Sequence, residues 1–135
     1  MSDSNTPTEA PEALLAGPGG VFLFEEQHIT ANGESAIVDL GPLAGKLLSV
    51  ALGILESIEQ QSLEVSIWSS EDGQTWAEKP VLLMPQKFYT GTSELLINLE
   101  AQPAIRFLRA KWTVNRWGKG SRQPDFRAYL FLRPA

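Results

Sequence analysis

Hydrophobic and polar residues alternate along most of the chain after residue 20, in the period of two that is typical of strands with one buried face. The clearest example is Leu63–Trp68, in which Leu, Val and Ile alternate with Glu, Ser and Trp. Similar alternation predicts seven or eight strands, at Val21–Thr30, Ala36–Leu40, Leu47–Ile58, Leu63–Ser69, Val81–Met84, Glu94–Leu99, Ile105–Asn115 and Phe126–Leu132. Short strands at close spacing, with no strong helix among them, predict an all-β sandwich or barrel.

One of these segments is ambiguous, because the apolar residues of Leu47–Ile58 fit both a strand and one face of a helix. Gly53 and the β-rich surroundings favour the strand. The Asn32-Gly33 pair predicts a turn over Ala31–Glu34. The first 20 residues are rich in Pro, Gly, Ser, Thr and Glu, and we interpret residues 1–20 as a flexible N-terminal arm that precedes a β domain at 21–135. Within the arm, Pro11–Ala16 fits one helical turn that ends at Gly17.

The strand that begins at Leu63 ends in Ser69-Ser70-Glu71-Asp72-Gly73, and Trp76 follows three residues after the glycine. An Asp-Gly pair supplies the positive φ that a tight turn needs. Asp72 and Gly73 are therefore predicted to form the turn, and Trp76 to fold back over it.

Four segments in order resemble discoidin-like domains, which are also called F5/8 type C-like or galactose-binding-like domains. They are Ala36–Gly41, Leu63–Trp76, Ile105–Ala110 and Phe126–Leu130, and together they place residues 21–133 in the resemblance. The resemblance implies an antiparallel jelly-roll β-sandwich of about eight strands. It also implies a non-catalytic module that binds sugars, lipid head groups or proteins through loops at one end. The cysteine pair of many extracellular members is absent.

Composition narrows the chemistry further. The chain of 135 residues is long enough for one domain with a core, and it has no cysteine and one histidine. Thiolate metal sites and cysteine nucleophiles are excluded, and a lone strand histidine, His28, is a weak candidate for a catalytic base. We therefore expect no enzyme activity, no metal and no cofactor.

The N-terminus lacks the basic and apolar regions of a signal peptide, and no apolar run is long enough to span a bilayer. We expect a protein made in the cytoplasm that does not bind membranes, with association with a virion or another assembly left open.

Charge is distributed unevenly along the chain. Residues 1–60 carry nine acidic residues and one lysine, whereas residues 105–135 carry eight basic residues and one aspartate. The charges of these two segments are expected either to neutralise each other across neighbouring strands or to favour contacts between copies of the chain. The net charge of −5 argues against nucleic acid as a partner.

The strongest candidate for a binding surface follows the strand Ile105–Asn115. There Trp117 stands among glycines and the cations Arg116, Lys119 and Arg122. An exposed aromatic ring flanked by hydrogen-bond donors suits a sugar ring or a partner protein, and the alternative is that Trp117 closes one end of the sandwich. Trp112, on the apolar side of the preceding strand, is expected to be structural.

Three more aromatic residues are candidates for partner contacts. Trp68 lies on the polar side of its strand, and Phe88 and Tyr89 fall on a predicted loop. Exposed aromatic residues often mark interfaces. The sequence therefore predicts a non-catalytic binding module that recognises a carbohydrate or another surface ligand through its end loops. The alternative is a structural or assembly subunit, of phage-virion type or another homo-oligomeric lattice, that uses its arm and its complementary charged faces.

Overall fold

The computed structural model describes residues 12–118, 120 and 122–135. These residues form ten strands and one short 3-10 turn at Gly41–Leu43, with no α-helix. The strands are β1 (Leu14–Leu15), β2 (Val21–Ile29), β3 (Gly33–Glu34), β4 (Val38–Asp39), β5 (Leu47–Ser57), β6 (Gln61–Ser70), β7 (Leu82–Leu83), β8 (Gly91–Asn98), β9 (Phe107–Arg116) and β10 (Phe126–Pro134). The all-β prediction is confirmed, and Leu47–Ser57 is a strand rather than a helix.

Two sheets pack face to face. One has six strands in the order β1-β4-β9-β6-β7, with β3 also paired to β9, and the other has four in the order β2-β10-β5-β8. The first long strand thus lies beside the last, and successive strands wrap between the two sheets, which is the arrangement of a jelly roll. Every strand pair is antiparallel except β1 with β4, which is parallel.

The core lies between the sheets and follows the alternation of the sequence. Leu63, Val65 and Ile67 on β6 are buried, as predicted. The facing sheet contributes alternate residues of its two central strands, namely Leu48, Val50, Leu52 and Ile54 of β5 with Phe126, Ala128, Leu130 and Leu132 of β10. Because the two sheets face each other, these apolar side chains are enclosed between them.

The predicted helical turn at Pro11–Ala16 is wrong for the residues that the structure describes, and Pro11 lies outside them. Leu14–Leu15 is instead an edge strand that pairs with Val38–Asp39. The N–H of Leu14 donates to the Ile37 carbonyl at 3.0 Å, and Ala16 is buried. The sheet edge offers this segment more hydrogen bonds than a single isolated turn would, so tertiary pairing overrides the local preference. Division of the chain at residue 20 stays a prediction.

The predicted turn at Ala31–Glu34 is also wrong in its second half. Gly33 and Glu34 form β3, which pairs with Trp112 and Lys111 of β9. A β-carbon on Gly33 would lie 3.0 Å from the Trp112 indole nitrogen, so the glycine gives the indole room on the backbone. Its role here is close packing rather than a positive φ.

Two other strands are shorter than predicted, since Ala36–Leu40 reduces to Val38–Asp39 and Val81–Met84 to Leu82–Leu83. Both lie toward the edges of the six-stranded sheet, where the strands twist away from full pairing. Their flanking residues remain part of the sandwich, because Leu40 and Met84 are buried.

The uneven charge of the sequence is largely neutralised across strands. Arg127 on β10 pairs with Glu26 on β2 at 2.6 Å, between nitrogen and carboxylate oxygen. Arg106 pairs with Asp39 on β4 at 2.9 Å, and Arg109 on β9 with Glu34 on β3 at 3.2 Å. Acidic residues of the segment 1–60 therefore pair with basic residues of the segment 105–135 on neighbouring strands. This is the simpler of the two predicted outcomes.

The ion pair between Asp39 and Arg106 predicts that the fold loses part of its stability in acid. Hydrogen bonding from Arg106 lowers the pKa of Asp39 below its ordinary value of 3.8, and the Gly41 N–H adds to this effect. A carboxyl with a lowered folded-state pKa stabilises the fold above pH 3.8, and this contribution is lost as the pH falls through the folded-state value. We expect Asp39→Asn to lower the melting temperature by about 3 °C at pH 7 and by less at pH 2. Thermal unfolding by circular dichroism at both pH values measures this, and an equal difference at both would contradict it.

Candidate ligand-binding site

The turn that follows β6 is organised by Ser70. Its hydroxyl oxygen accepts from the Gly73 N–H at 2.8 Å and donates to the Thr75 carbonyl at 2.6 Å. Asp72 accepts from the N–H groups of Gln74 and Thr75 at 2.8 Å each, and these bonds, that from Thr75 foremost, hold the pKa of Asp72 below its ordinary value. Gly73 has the predicted positive φ, at 79°. The turn is therefore held by its own polar groups.

Trp76 returns to the strand, as predicted, since it forms a bridge with Ser70. The Arg109 guanidinium lies over its ring, 4.4 Å from the centroid. The partners of Trp76 are thus the end of β6 and a neighbouring strand of the same sheet. This is the placement expected of a residue that closes the turn.

Trp112 packs toward the core. Its ring is 5.1 Å from that of Phe24, centroid to centroid, and its indole N–H donates to the Ala31 carbonyl at 3.1 Å. The contact between Trp112 of β9 and Phe24 of β2 therefore connects the two sheets.

Trp68 lies on the outer face of the six-stranded sheet, as its place in the alternation predicts. Its indole N–H donates to the Ser66 hydroxyl at 2.9 Å, and the Lys111 ammonium lies 4.6 Å from the ring centroid. Most of its surface is therefore covered, in part by residues of its own sheet. Neither Ser66 nor Lys111 is among the predicted binding residues.

Trp117 is the first residue after β9 and is 54% exposed. Its N–H donates to the Gln60 carbonyl at 3.0 Å, which fixes the backbone of this residue against the β5–β6 turn. Since the backbone is held while more than half of the side chain is exposed, the ring is presented to solvent at one end of the sandwich.

Phe88 and Tyr89 lie on the loop between β7 and β8, as predicted, and the loop is anchored on both sides. Lys87 exchanges two backbone hydrogen bonds of 2.8 Å with Leu63 of β6, and the Ser57 hydroxyl donates to the Phe88 carbonyl at 3.0 Å. The Phe88 ring contacts the rings of both Trp117 and Tyr89, with centroids 6.2 Å apart in each case. Three candidates from two separate segments thus form one aromatic cluster.

We call Phe88, Tyr89 and Trp117 the end-loop cluster. Phe88 is 38% and Tyr89 81% exposed, so the cluster is an open surface. Arg116 and Arg122 are close to Trp117 in the sequence, and the Arg116 guanidinium donates to the Arg122 carbonyl at 3.4 Å. Lys119 lies outside the described residues.

A residue that the sequence analysis did not select holds this end together. Gln61 is buried, and its side chain forms three hydrogen bonds: its Nε2 donates to the Ser57 hydroxyl at 3.0 Å and to the Asp125 carbonyl at 2.8 Å, and its Oε1 accepts from the Asp125 N–H at 2.7 Å. The loop that follows Trp117 is thereby tied to the start of β6. A glutamine directly before an alternating strand gives no signal of this role.

A second aromatic group, which was not predicted from the sequence, lies on the outer face of the four-stranded sheet. Phe22, Tyr129 and Phe131 line an open groove of about 890 Å³ there. The alternation of β10 does contain the signal, because Tyr129 and Phe131 fall between the buried residues of that strand.

His28 is at the surface, where its Nδ1 lies 2.8 Å from the Asp125 carboxylate. Among the described residues, no group of three or more histidine, aspartate or glutamate side chains lies close enough to hold a metal ion. No helix in the described ranges has the length and apolar character needed to cross a membrane.

Comparison with known proteins adds little. No protein-family profile matches the chain, and no curated protein matches it in sequence. Among solved structures, one of the Gt strain of infectious bursal disease virus is similar over 87% of this chain, with 18% sequence identity and a TM-score of 0.42. The match spans 28% of the viral chain. Similarity of this extent is compatible with many unrelated functions.

Proposed function

We propose that this chain is a non-catalytic module that binds a carbohydrate through the end-loop cluster. The observation that carries the proposal is the meeting of Phe88, Tyr89 and Trp117 at one end of the sandwich, with all three rings exposed. Exposed aromatic rings offer flat apolar faces on which the C–H face of a sugar ring can stack.

The arrangement favours binding in two further respects. The backbone is anchored at two of the three rings, at Trp117 by Gln60 and at Phe88 by Ser57, so little ordering of the loops is needed when a ligand binds. Arg116 directly precedes Trp117 in the chain, Arg122 follows in the same loop, and guanidinium groups donate readily to sugar hydroxyls or to acidic groups of a glycan.

The resemblance to discoidin-like domains is consistent with this function, since that family binds its ligands through loops at one end of a jelly roll. We also propose that the chain belongs to this family, is made in the cytoplasm, does not bind nucleic acid and catalyses no reaction.

A second function, as a structural or assembly subunit, is favoured by one specific observation. The edge strand β1 exposes both of its leucines, Leu14 at 52% and Leu15 at 65%, and at the opposite edge of the same sheet Leu83 of β7 is exposed too. Exposed apolar edges offer contacts to another copy of the chain. β1 belongs to the predicted N-terminal arm of residues 1–20, which carries the acidic residues Asp3, Glu9 and Glu12.

We expect Trp117→Ala to weaken glycan binding by about tenfold to a hundredfold, because a central aromatic contact contributes about 1–3 kcal/mol. A glycan array with the wild-type chain identifies the bound sugar, and isothermal titration calorimetry with that sugar measures the change. Tyr89→Ala is expected to act in the same direction.

Trp68→Ala is the matched control, because it removes an indole from the outer face of a sheet, away from the end-loop cluster. It should bind within about twofold of the wild type. Equal losses in Trp68→Ala and Trp117→Ala would contradict a specific role for the cluster. A silent array would count against carbohydrate binding, and a stable oligomer by light scattering in the same preparation would then favour the assembly function.

A further inference from the structure

The outer face of the four-stranded sheet carries a second aromatic surface, remote in sequence from the end-loop cluster. Phe131 on β10 is paired with Phe22 on β2 and with Ala51 on β5, and Tyr129 is paired with Gly53. The two large rings of β10 therefore lie across from the smallest residues of β5. A shallow groove results, with Ala51 in its lining and the aromatic rings along it.

Tyr129 lies directly on the backbone of β5. A β-carbon added to Gly53 would overlap the Tyr129 ring, so the ring occupies the space that a side chain would fill. Phe22 stands nearly perpendicular to Tyr129, with an interplanar angle of 82° and ring centroids 6.1 Å apart. One ring thus forms a floor and the other a wall.

The charged residues that line the groove include both signs, and most of them form ion pairs. Arg133 and Glu94 form an ion pair of 2.9 Å across the β10–β5–β8 face, and Glu26 is paired with Arg127. Glu25 and the Thr92 hydroxyl complete the polar lining. Because two of the three glutamates are already neutralised by arginines, the groove presents mixed donors and acceptors instead of a strongly acidic surface.

We propose that this groove is a second binding site, which takes pyranose units of an oligosaccharide stacked on Tyr129 against Phe22. A flat ring floor with paired donors and acceptors beside it fits a neutral, hydroxyl-rich ligand better than a cation, which would need free carboxylates. The Glu94–Arg133 pair can accept from one sugar hydroxyl and donate to the next. The site goes beyond the end-loop proposal, and only the expected dependence of affinity on chain length draws on both sites.

The two sites adjoin. Thr92 lines both the groove and a smaller pocket of about 350 Å³ that contains Phe88 and Tyr89. A chain of several sugar units is therefore the ligand that the groove fits best, and affinity is expected to rise with chain length.

The test is a titration of the ¹⁵N-labelled full chain with cellohexaose, xylohexaose and mannohexaose, followed by NMR. We expect at least one hexasaccharide to shift the amide signals of residues 51–53, 92–94 and 129–131. Tyr129→Ala should weaken this binding at least tenfold. Gly53→Ala should do so too, because the new methyl group displaces the ring, which is the free end of a flexible side chain.

Leu96→Ala, on the same sheet but outside the groove, is the matched control and should bind within twofold of the wild type. Trp117→Ala should keep the groove shifts, which separates this site from the end-loop site. Absence of groove shifts with all three sugars would overturn the proposal. So would shifts confined to the end loops, or loss of the groove signals with rising protein concentration alone, since that would mark a contact between copies.

Discussion

Gly20→Ala is expected to lower the free energy of unfolding by about 3 kcal/mol, and the melting temperature by about 10 °C. Gly20 has a φ of 134°, which residues with a β-carbon rarely adopt. An added β-carbon would also lie 2.5 Å from the Leu132 carbonyl oxygen and 2.7 Å from the Phe131 ring. Since the nearest atom belongs to the backbone of β10, the strand itself must move to relieve the contact.

Gly19→Ala is the matched control, because a β-carbon there meets nothing within 4 Å. Chemical denaturation of both variants by urea, followed by tryptophan fluorescence, measures the difference. We expect Gly19→Ala to remain within about 0.5 kcal/mol of the wild type. Equal stability of the two variants would show that the start of β2 tolerates a side chain at position 20.

Gln61→Leu is expected to destabilise the chain by about 3 kcal/mol and to loosen the loop that follows Trp117. Leucine fills a similar volume but makes none of the three hydrogen bonds of the buried Gln61, so the partly buried N–H and carbonyl of Asp125 lose their partner. Each buried polar group left without a partner costs about 1–3 kcal/mol. The loop should then show faster hydrogen exchange, because its tie to β6 is removed.

Gln123→Leu makes the same substitution at an exposed position of the same loop and provides the control. It should change stability by less than about 0.5 kcal/mol and leave hydrogen exchange unaltered. Hydrogen exchange by mass spectrometry and urea denaturation measure both effects. A wild-type exchange pattern in Gln61→Leu would mean that the loop is held by other contacts.

The long strands were predictable because each has one face in the core. On β6 and β10 every second residue is buried, and such a pattern survives in the sequence whatever the neighbouring strands are. The shortest strands were harder, since two-residue segments such as Leu14–Leu15 and Gly33–Glu34 contain no period. Their pairing depends on which edge the tertiary structure leaves open to them.

The role of a glycine could be predicted only where it depends on residues next to it in the sequence. Gly73 follows an aspartate in a polar turn, and its positive φ was predicted. Gly33 and Gly53 serve instead to make room for an aromatic ring on a neighbouring strand. That role depends on strand register, which only the folded sheet defines.

The candidate site was predicted in parts. Trp117 was a candidate because it is an aromatic residue among cations, and Phe88 and Tyr89 because they are aromatic residues on a loop. Nothing in the sequence indicated that the three side chains are in contact. They are in contact because Lys87 pairs with Leu63 of β6 while Trp117 is bound to Gln60, just before β6 begins. Strand β6 thus brings both segments to one end.

The sequence by itself determined the fold class, the long strands, the buried faces and the Asp72-Gly73 turn, because alternation and turn chemistry are local properties. The tertiary structure decided that the opposite charges of the two halves pair across strands, that three aromatic residues join in the end-loop cluster, and that Tyr129 lies over Gly53. Each of these depends on which strands become neighbours and in what register, and the pairing of residues distant in the chain is set by the packing of the whole sandwich.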